Sequence, residues 1–201
     1  MQQAISLLPV IKNLNDIFEC FNEQYFESEL SRAIITAAPK GRKKATGWCT
    51  SHKAWRDIDA GYYEINICAE HINAPIEDVC EVLLHEMCHF YNLQNNIQDC
   101  SRSSQYHNSK FKNCAEQHGL NVEKHPSYGY TITSLKPETL EYIKTLNLTD
   151  FTLFRDSPTG EEKKKSSTRK YICPTGCDVS IRATKEVNVI CGTCKARLVQ
   201  D

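Results

Sequence analysis

An α+β architecture is expected from three features of the chain. Apolar residues recur every three or four positions in some stretches and every second position in others, without regular strand–helix alternation. The strongest helical stretch contains His85-Glu86-Met87-Cys88-His89, a His-Glu-x-x-His pattern. Two close cysteine pairs, Cys173/Cys177 and Cys191/Cys194, stand near the end of the sequence.

The elements follow in order. Ile11, Leu14, Phe18, Phe21 and Tyr25 form one apolar helix face. Residues 32–38 are β-branched and apolar enough for a strand, and the basic stretch 40–44 then turns the chain. Strands are expected over 45–50 and 62–68, the second alternating apolar Tyr63, Ile65 and Ile67 with polar Glu64 and Asn66. A long helix begins at Pro75, a good first-turn residue, with Glu77 and Asp78 to complement its dipole, and runs to Tyr91. A polar loop, 92–106, separates it from a helix over 108–118, where Gly119 fits the position after the C-cap. A strand over 129–134 and a helix over 137–146 complete this part.

Composition bounds the function classes. The chain has 201 residues, 40% hydrophobic and 24% charged, enough for one domain plus a small module and too apolar for a wholly disordered chain. No apolar run approaches the ~20 residues that span a bilayer, so no membrane association is expected. The first nine residues lack the pattern of a secretory signal, so a cytoplasmic location is expected, nucleoid-associated or, in a eukaryote, nuclear. The net charge of −1 excludes nucleic-acid binding by bulk charge alone. That charge is uneven: residues 1–154 carry −5 and residues 155–201 carry +4. The polar stretch 155–170 reads as a linker between an acidic domain, 1–154, and a small basic module, 171–201.

His85 and His89 lie one helical turn apart on one face and can grip a single Zn²⁺, while Glu86 beside them can take a proton from water at the metal. Catalytic zinc takes three protein ligands and leaves one position open. The metzincin extension is absent, since residues 92 and 95 are both Asn. Candidate third ligands are Asp99, His107, Glu116 and His118; His107 is the best placed, opening the next helix, with Glu116 second.

Eleven cysteines in a chain without an export signal point to metal binding rather than disulfides. Seven are scattered over the first 114 residues and read as small buried hydrophobes. The last four, Cys173, Cys177, Cys191 and Cys194, have the spacing of a structural zinc ribbon, with Gly192 suited to a tight turn and residues 187–190 to a strand. Arg169, Lys170, Arg182, Lys185, Lys195 and Arg197 surround them, with Tyr171 as a stacking residue, the footprint expected of a nucleic-acid surface. The 40–44 turn reads either as a solvated hairpin tip or as a source of further phosphate contacts. Trp48 and Trp55 flank the active-site strands as core residues or a substrate platform, and Tyr106, Tyr128 and Tyr130 are candidate oxyanion donors.

The chain resembles the SprT-like zinc metallopeptidases, the family of the protease Spartan, through residues 83–89, the later His107-Asn108-Ser109-Lys110-Phe111, and the strand segments Gly47-Trp48-Cys49 and Tyr63-Glu64-Ile65-Asn66. Asn108 stands where a glycine is frequent, and the first cysteine pair has three intervening residues where the family usually has two. The resemblance implies a zincin-like metalloprotease domain with a small antiparallel sheet and an active-site helix, followed by a zinc ribbon. It implies two zinc ions: a catalytic one on His85, His89 and His107 with Glu86 as general base, and a structural one on the four cysteines. Substrates would be proteins, and by resemblance proteins bound or crosslinked to DNA. The reading from another class is a zinc-stabilised nucleic-acid or protein binding module without physiological proteolysis.

Overall fold

The computed structural model describes residues 4–39, 45–101, 105–156 and 168–201. The basic turn at 40–44 and most of the expected linker fall outside these residues. The chain divides into two compact units, 1–156 and 157–201, taken here in turn.

The first unit opens with α1 (Leu8–Phe26). Its buried stripe is Val10, Leu14, Ile17, Phe18 and Phe21, rotated slightly from the expected face so that Ile11 and Tyr25 sit at the margin. The first sheet holds β1 (Ala33–Thr36), β2 (Gly47–Cys49), β3 (Trp55–Arg56) and β4 (Gly61–Ile67). β4 is central, with β2 and β3 antiparallel to it. β1 runs parallel to β4, pairing Ala33 with Tyr63 through Thr36 with Asn66. The sheet is therefore mixed rather than antiparallel, and the long connection between β1 and β4 supplies the crossover that parallel pairing requires. Asn66 also departs from the expected alternation. It is fully buried because its Oδ1 accepts hydrogen bonds from the Ala38 amide at 2.6 Å and the Thr36 hydroxyl at 2.7 Å.

α2 (Ile76–Gln94) crosses behind this sheet, with Pro75 at the N-cap and the helix running past the expected end at Tyr91. Ile76, Val79, Cys80, Leu83, Leu84, Met87, Cys88 and Phe90 are buried, so core surrounds most of its girth. Both ends are tied to distant chain. Pro75 cannot cap with its side chain, and instead the Asp150 carboxylate accepts the Ile76 amide at 2.8 Å. At the other end Gln94 bonds the Ser31 amide and the Glu29 carbonyl, both at 2.8 Å.

A second sheet has the order β5-β6-β8-β7, from β5 (Cys100–Ser101), β6 (Tyr106–His107), β7 (Leu120–His125) and β8 (Gly129–Leu135). α3 (Ser109–Gln117) lies between β6 and β7, and Gly119 follows its cap with φ +91°. α4 (Pro137–Thr145) and a segment with Phe151 buried close the core.

In the second unit β9 (Arg169–Ile172) is flanked antiparallel by β10 (Ser180–Ala183) and β11 (Val199–Gln200). The strand expected at 187–190 does not form; that segment contributes one bridge, Ile190 to Arg197, and the Val187 amide bonds the Tyr171 hydroxyl. Tyr171, Cys173, Cys191 and Leu198 are the only buried apolar residues here among the described residues. Across both units, no described helix is long and apolar enough to cross a membrane.

The remote cap makes a test of how α2 is held. Asp150→Ala is expected to cost about 1 kcal/mol in urea unfolding, the usual value of an N-cap, while Asp150→Asn retains most of it. An unchanged midpoint for Asp150→Ala would show that the cap carries no stability.

Candidate metal centres

Helical spacing sets His85 and His89 one above the other on α2, with ring centroids 5.0 Å apart. His107 reaches them from β6. Its Nε2 lies 3.3 Å from His85 Nε2 and 2.9 Å from His89 Nε2. Zinc–imidazole bonds of about 2.0–2.1 Å place ligand nitrogens about 3.3–3.4 Å apart in a tetrahedron, so this trio is near the size zinc needs. The outward nitrogens explain the orientation. His89 Nδ1 meets the Asp99 carboxylate at 2.7 Å, and His85 Nδ1 meets Thr133 Oγ1 at 3.2 Å. With Nδ1 occupied as donor, each ring turns its Nε2 inward. A single proton cannot satisfy three nitrogens converging in a buried place, and a cation bound by all three would, so the residues present fit a zinc ion.

His107 is fixed differently. Its Nδ1 is buried with no hydrogen-bond partner among the described residues, and its backbone does the positioning. The His107 amide donates to the Tyr128 carbonyl at 2.9 Å, and His107 pairs with Gly129 across β6 and β8. Gly129 has φ +74°, and a Cβ there would collide with the His107 carbonyl oxygen and crowd the Tyr106 ring. Phe111 on α3 is the floor, its ring 4.6, 4.4 and 4.7 Å from those of His85, His89 and His107. Asn108 caps α3 by accepting the Lys110 amide at 2.7 Å, and its own side chain donates to the Gln98 carbonyl at 2.9 Å. Its φ of −94° needs no glycine, and the cap is one a glycine could not supply.

Glu86 is buried beside this cluster and accepts a hydrogen bond from the Cys49 amide of β2. Burial raises its carboxyl to about 7, with His89 opposing the shift. Gly47 makes room: a Cβ there would press on Val82, the Asn66 carbonyl and the Glu86 side chain.

The remaining candidates for third ligand lie elsewhere. Asp99 binds the back of His89 and accepts from Asn92 Nδ2 at 3.1 Å. Glu116 is half-buried and pairs with Lys112 at 3.6 Å. His118 stacks on Phe26 at 4.3 Å and donates from Nδ1 to the Cys114 carbonyl at 2.6 Å. Trp55 is half exposed, its indole N–H held by Glu64 at 2.8 Å. Tyr128 lies against His125, and Tyr130 lies beneath Lys112 and Lys124. Sequence reading missed Thr133, which bears no motif, and Asn92, which it used only to exclude the metzincin pattern.

In the second unit the sulfurs of Cys173, Cys177, Cys191 and Cys194 all lie within 4.8 Å of one another. Cys173 and Cys194 approach to 3.4 Å, and the Thr175 hydroxyl contacts three of the sulfurs. The extra residue of the first pair is absorbed by Gly176 at φ +78°. In the second turn Lys195, not Gly192, takes the left-handed conformation, at φ 64°. Tyr171 is buried against these cysteines, which corrects its expected role as a stacking surface.

A mixed sheet backing a helix that carries two of three convergent imidazoles, with a buried carboxylate alongside, belongs to the class of metallopeptidase-like domains. The SprT-like family model matches residues 14–133, and the chain belongs to the SprT-like family. No curated protein and no solved structure matches the chain.

Two outcomes test the histidine cluster. Gly129→Ala combines a left-handed backbone with a collision at His107, so a loss of about 1–3 kcal/mol in urea unfolding is expected, together with weakened zinc binding. Wild-type zinc affinity after Gly129→Ala would contradict this support of His107. The second outcome concerns pH. Burial lowers the proton affinity of His85 and His107, the latter to about 4. On His89 the Asp99 and Cys100 hydrogen bonds outweigh burial and lift it to about 10. The cation-free cluster thus holds one proton at neutral pH, on His89, and metal must displace it. Zinc affinity at this cluster should rise about tenfold per pH unit between about pH 6 and 8 in chelator competition. A flat profile would count against that proton.

Proposed function

We propose that this chain is a zinc-dependent endopeptidase, with His85, His89 and His107 holding the ion and Glu86 as general base. The observation that carries the reading is the convergence of three Nε2 atoms beside a buried carboxylate held by a backbone amide. When bound there, zinc polarises a carbonyl oxygen and lowers the pKa of water toward about 7. Glu86 takes the proton of the attacking water on its carboxylate and delivers it to the departing amide nitrogen. Burial raises the proton affinity of this carboxyl in the metal-free chain, which favours its taking up the proton. The Cys49 amide holds the carboxylate in place. The buried Phe111 ring keeps the floor of the cluster dry.

We assign a second, structural zinc to Cys173, Cys177, Cys191 and Cys194, because the apolar core around them is too small to fold this unit alone. None of the eleven cysteines is paired in a disulfide, and a reducing compartment such as cytoplasm or nucleus would keep the four assigned to zinc available as thiolates. By analogy with the family, the substrates are proteins bound to or crosslinked to DNA, and the +4 charge of residues 155–201 supports phosphate contact. The competing reading is a zinc-stabilised binding module.

Zinc-loaded wild type and Glu86→Gln, incubated with a DNA-binding protein with and without single-stranded DNA, separate these. Cleavage should fall about 10²–10⁴-fold in Glu86→Gln at unchanged zinc content. Stimulation by DNA supports the substrate class; cleavage indifferent to DNA removes it and keeps the protease. No cleavage by zinc-loaded wild type favours the binding module.

A further inference from the structure

The orientation of His85 does not end at Thr133. Thr133 Oγ1 donates its only proton to Glu81 Oε1 at 2.8 Å. Toward His85 Nδ1, 3.2 Å away, the same hydroxyl is therefore left with only a lone pair, so that ring must present Nδ1–H. An imidazole that spends its proton on Nδ1 keeps Nε2 free for a metal. Glu81 and His85 stand four residues apart on α2, so both ends of the relay rise from one helix face, and β8 inserts the hydroxyl between them. His89 has the simpler counterpart, a direct Asp99 carboxylate, and His107 has none among the described residues.

We infer that Thr133 and Glu81 are positioning residues for His85, setting the tautomer and ring direction that metal binding at this cluster requires. This rests on the zinc-centre reading above. Glu81 acts only through Thr133. Half-buried, it sits on the far side of the hydroxyl from the imidazole.

The test is zinc affinity of the full chain by chelator competition, with His85→Ala marking which binding event belongs to the histidine cluster. Thr133→Val keeps the side-chain shape and β-propensity and removes the hydroxyl. Affinity at the cluster should fall about 10–100-fold, the usual cost of losing such a partner. Thr133→Ser restores the hydroxyl and should bring affinity back close to wild type. Glu81→Ala should weaken binding on its own and add nothing in the Thr133→Val background, because the relay is then already cut. Metal-stripped Thr133→Val should melt with metal-stripped wild type, which a merely structural role would not allow. Undiminished affinity in Thr133→Val, or independent additive losses from the two substitutions, overturns the relay and leaves the zinc centre standing. If His85→Ala removes no zinc, the centre itself fails, and the relay with it.

Discussion

Three imidazole nitrogens facing one another within about the span of a single zinc ion form an arrangement that a folded chain does not adopt without support. One shared proton leaves lone pairs unsatisfied, and burial removes the water that would otherwise serve them. The surrounding structure answers that cost at every ring. His89 leans on a carboxylate, His85 on a hydroxyl, and His107 on a strand pairing that only a glycine opposite permits. Phe111 contacts all three rings, so displacing any one of them opens a void in the core.

The fold positions these groups by burying α2 and tying both its ends. Eight apolar side chains bury it on several sides, and its two ends are fastened by Asp150 and Gln94 to segments far away in sequence. Glu86 is set by β2, whose Cys49 amide meets its carboxylate and whose Gly47 leaves it space. The second unit solves a different problem. It has a three-stranded sheet and four buried apolar residues among those described, too little for independent stability, and its four converging sulfurs form a group that could hold a metal ion to supply what the core lacks.

Much of this was legible in the sequence because it is local. The i, i+4 histidines, the cysteine pairs and the helix stretches follow from spacing alone. The family match over residues 14–133 agrees with the resemblance drawn from residues 83–89 and 107–111. What escaped was non-local. The parallel β1–β4 pairing depends on a crossover, β7 and the short β3 carry weak alternation, and Asn66 is buried by partners from β1 and the residues just after it. Asp99 was legible as a metal ligand by residue type, yet only the fold shows it behind His89. Thr133 had no signal beyond belonging to a strand. Tyr171 read as an exposed stacking residue because a module this small was not expected to use its one aromatic as core.

Metal stoichiometry by native mass spectrometry tests the central claim most directly. Wild type is predicted to retain about two zinc ions per chain, one on the histidines and one on the cysteines. His107→Ala should retain about one, with the fold intact by circular dichroism. A wild type that holds zinc only on its cysteines, unchanged by His107→Ala, would contradict the account.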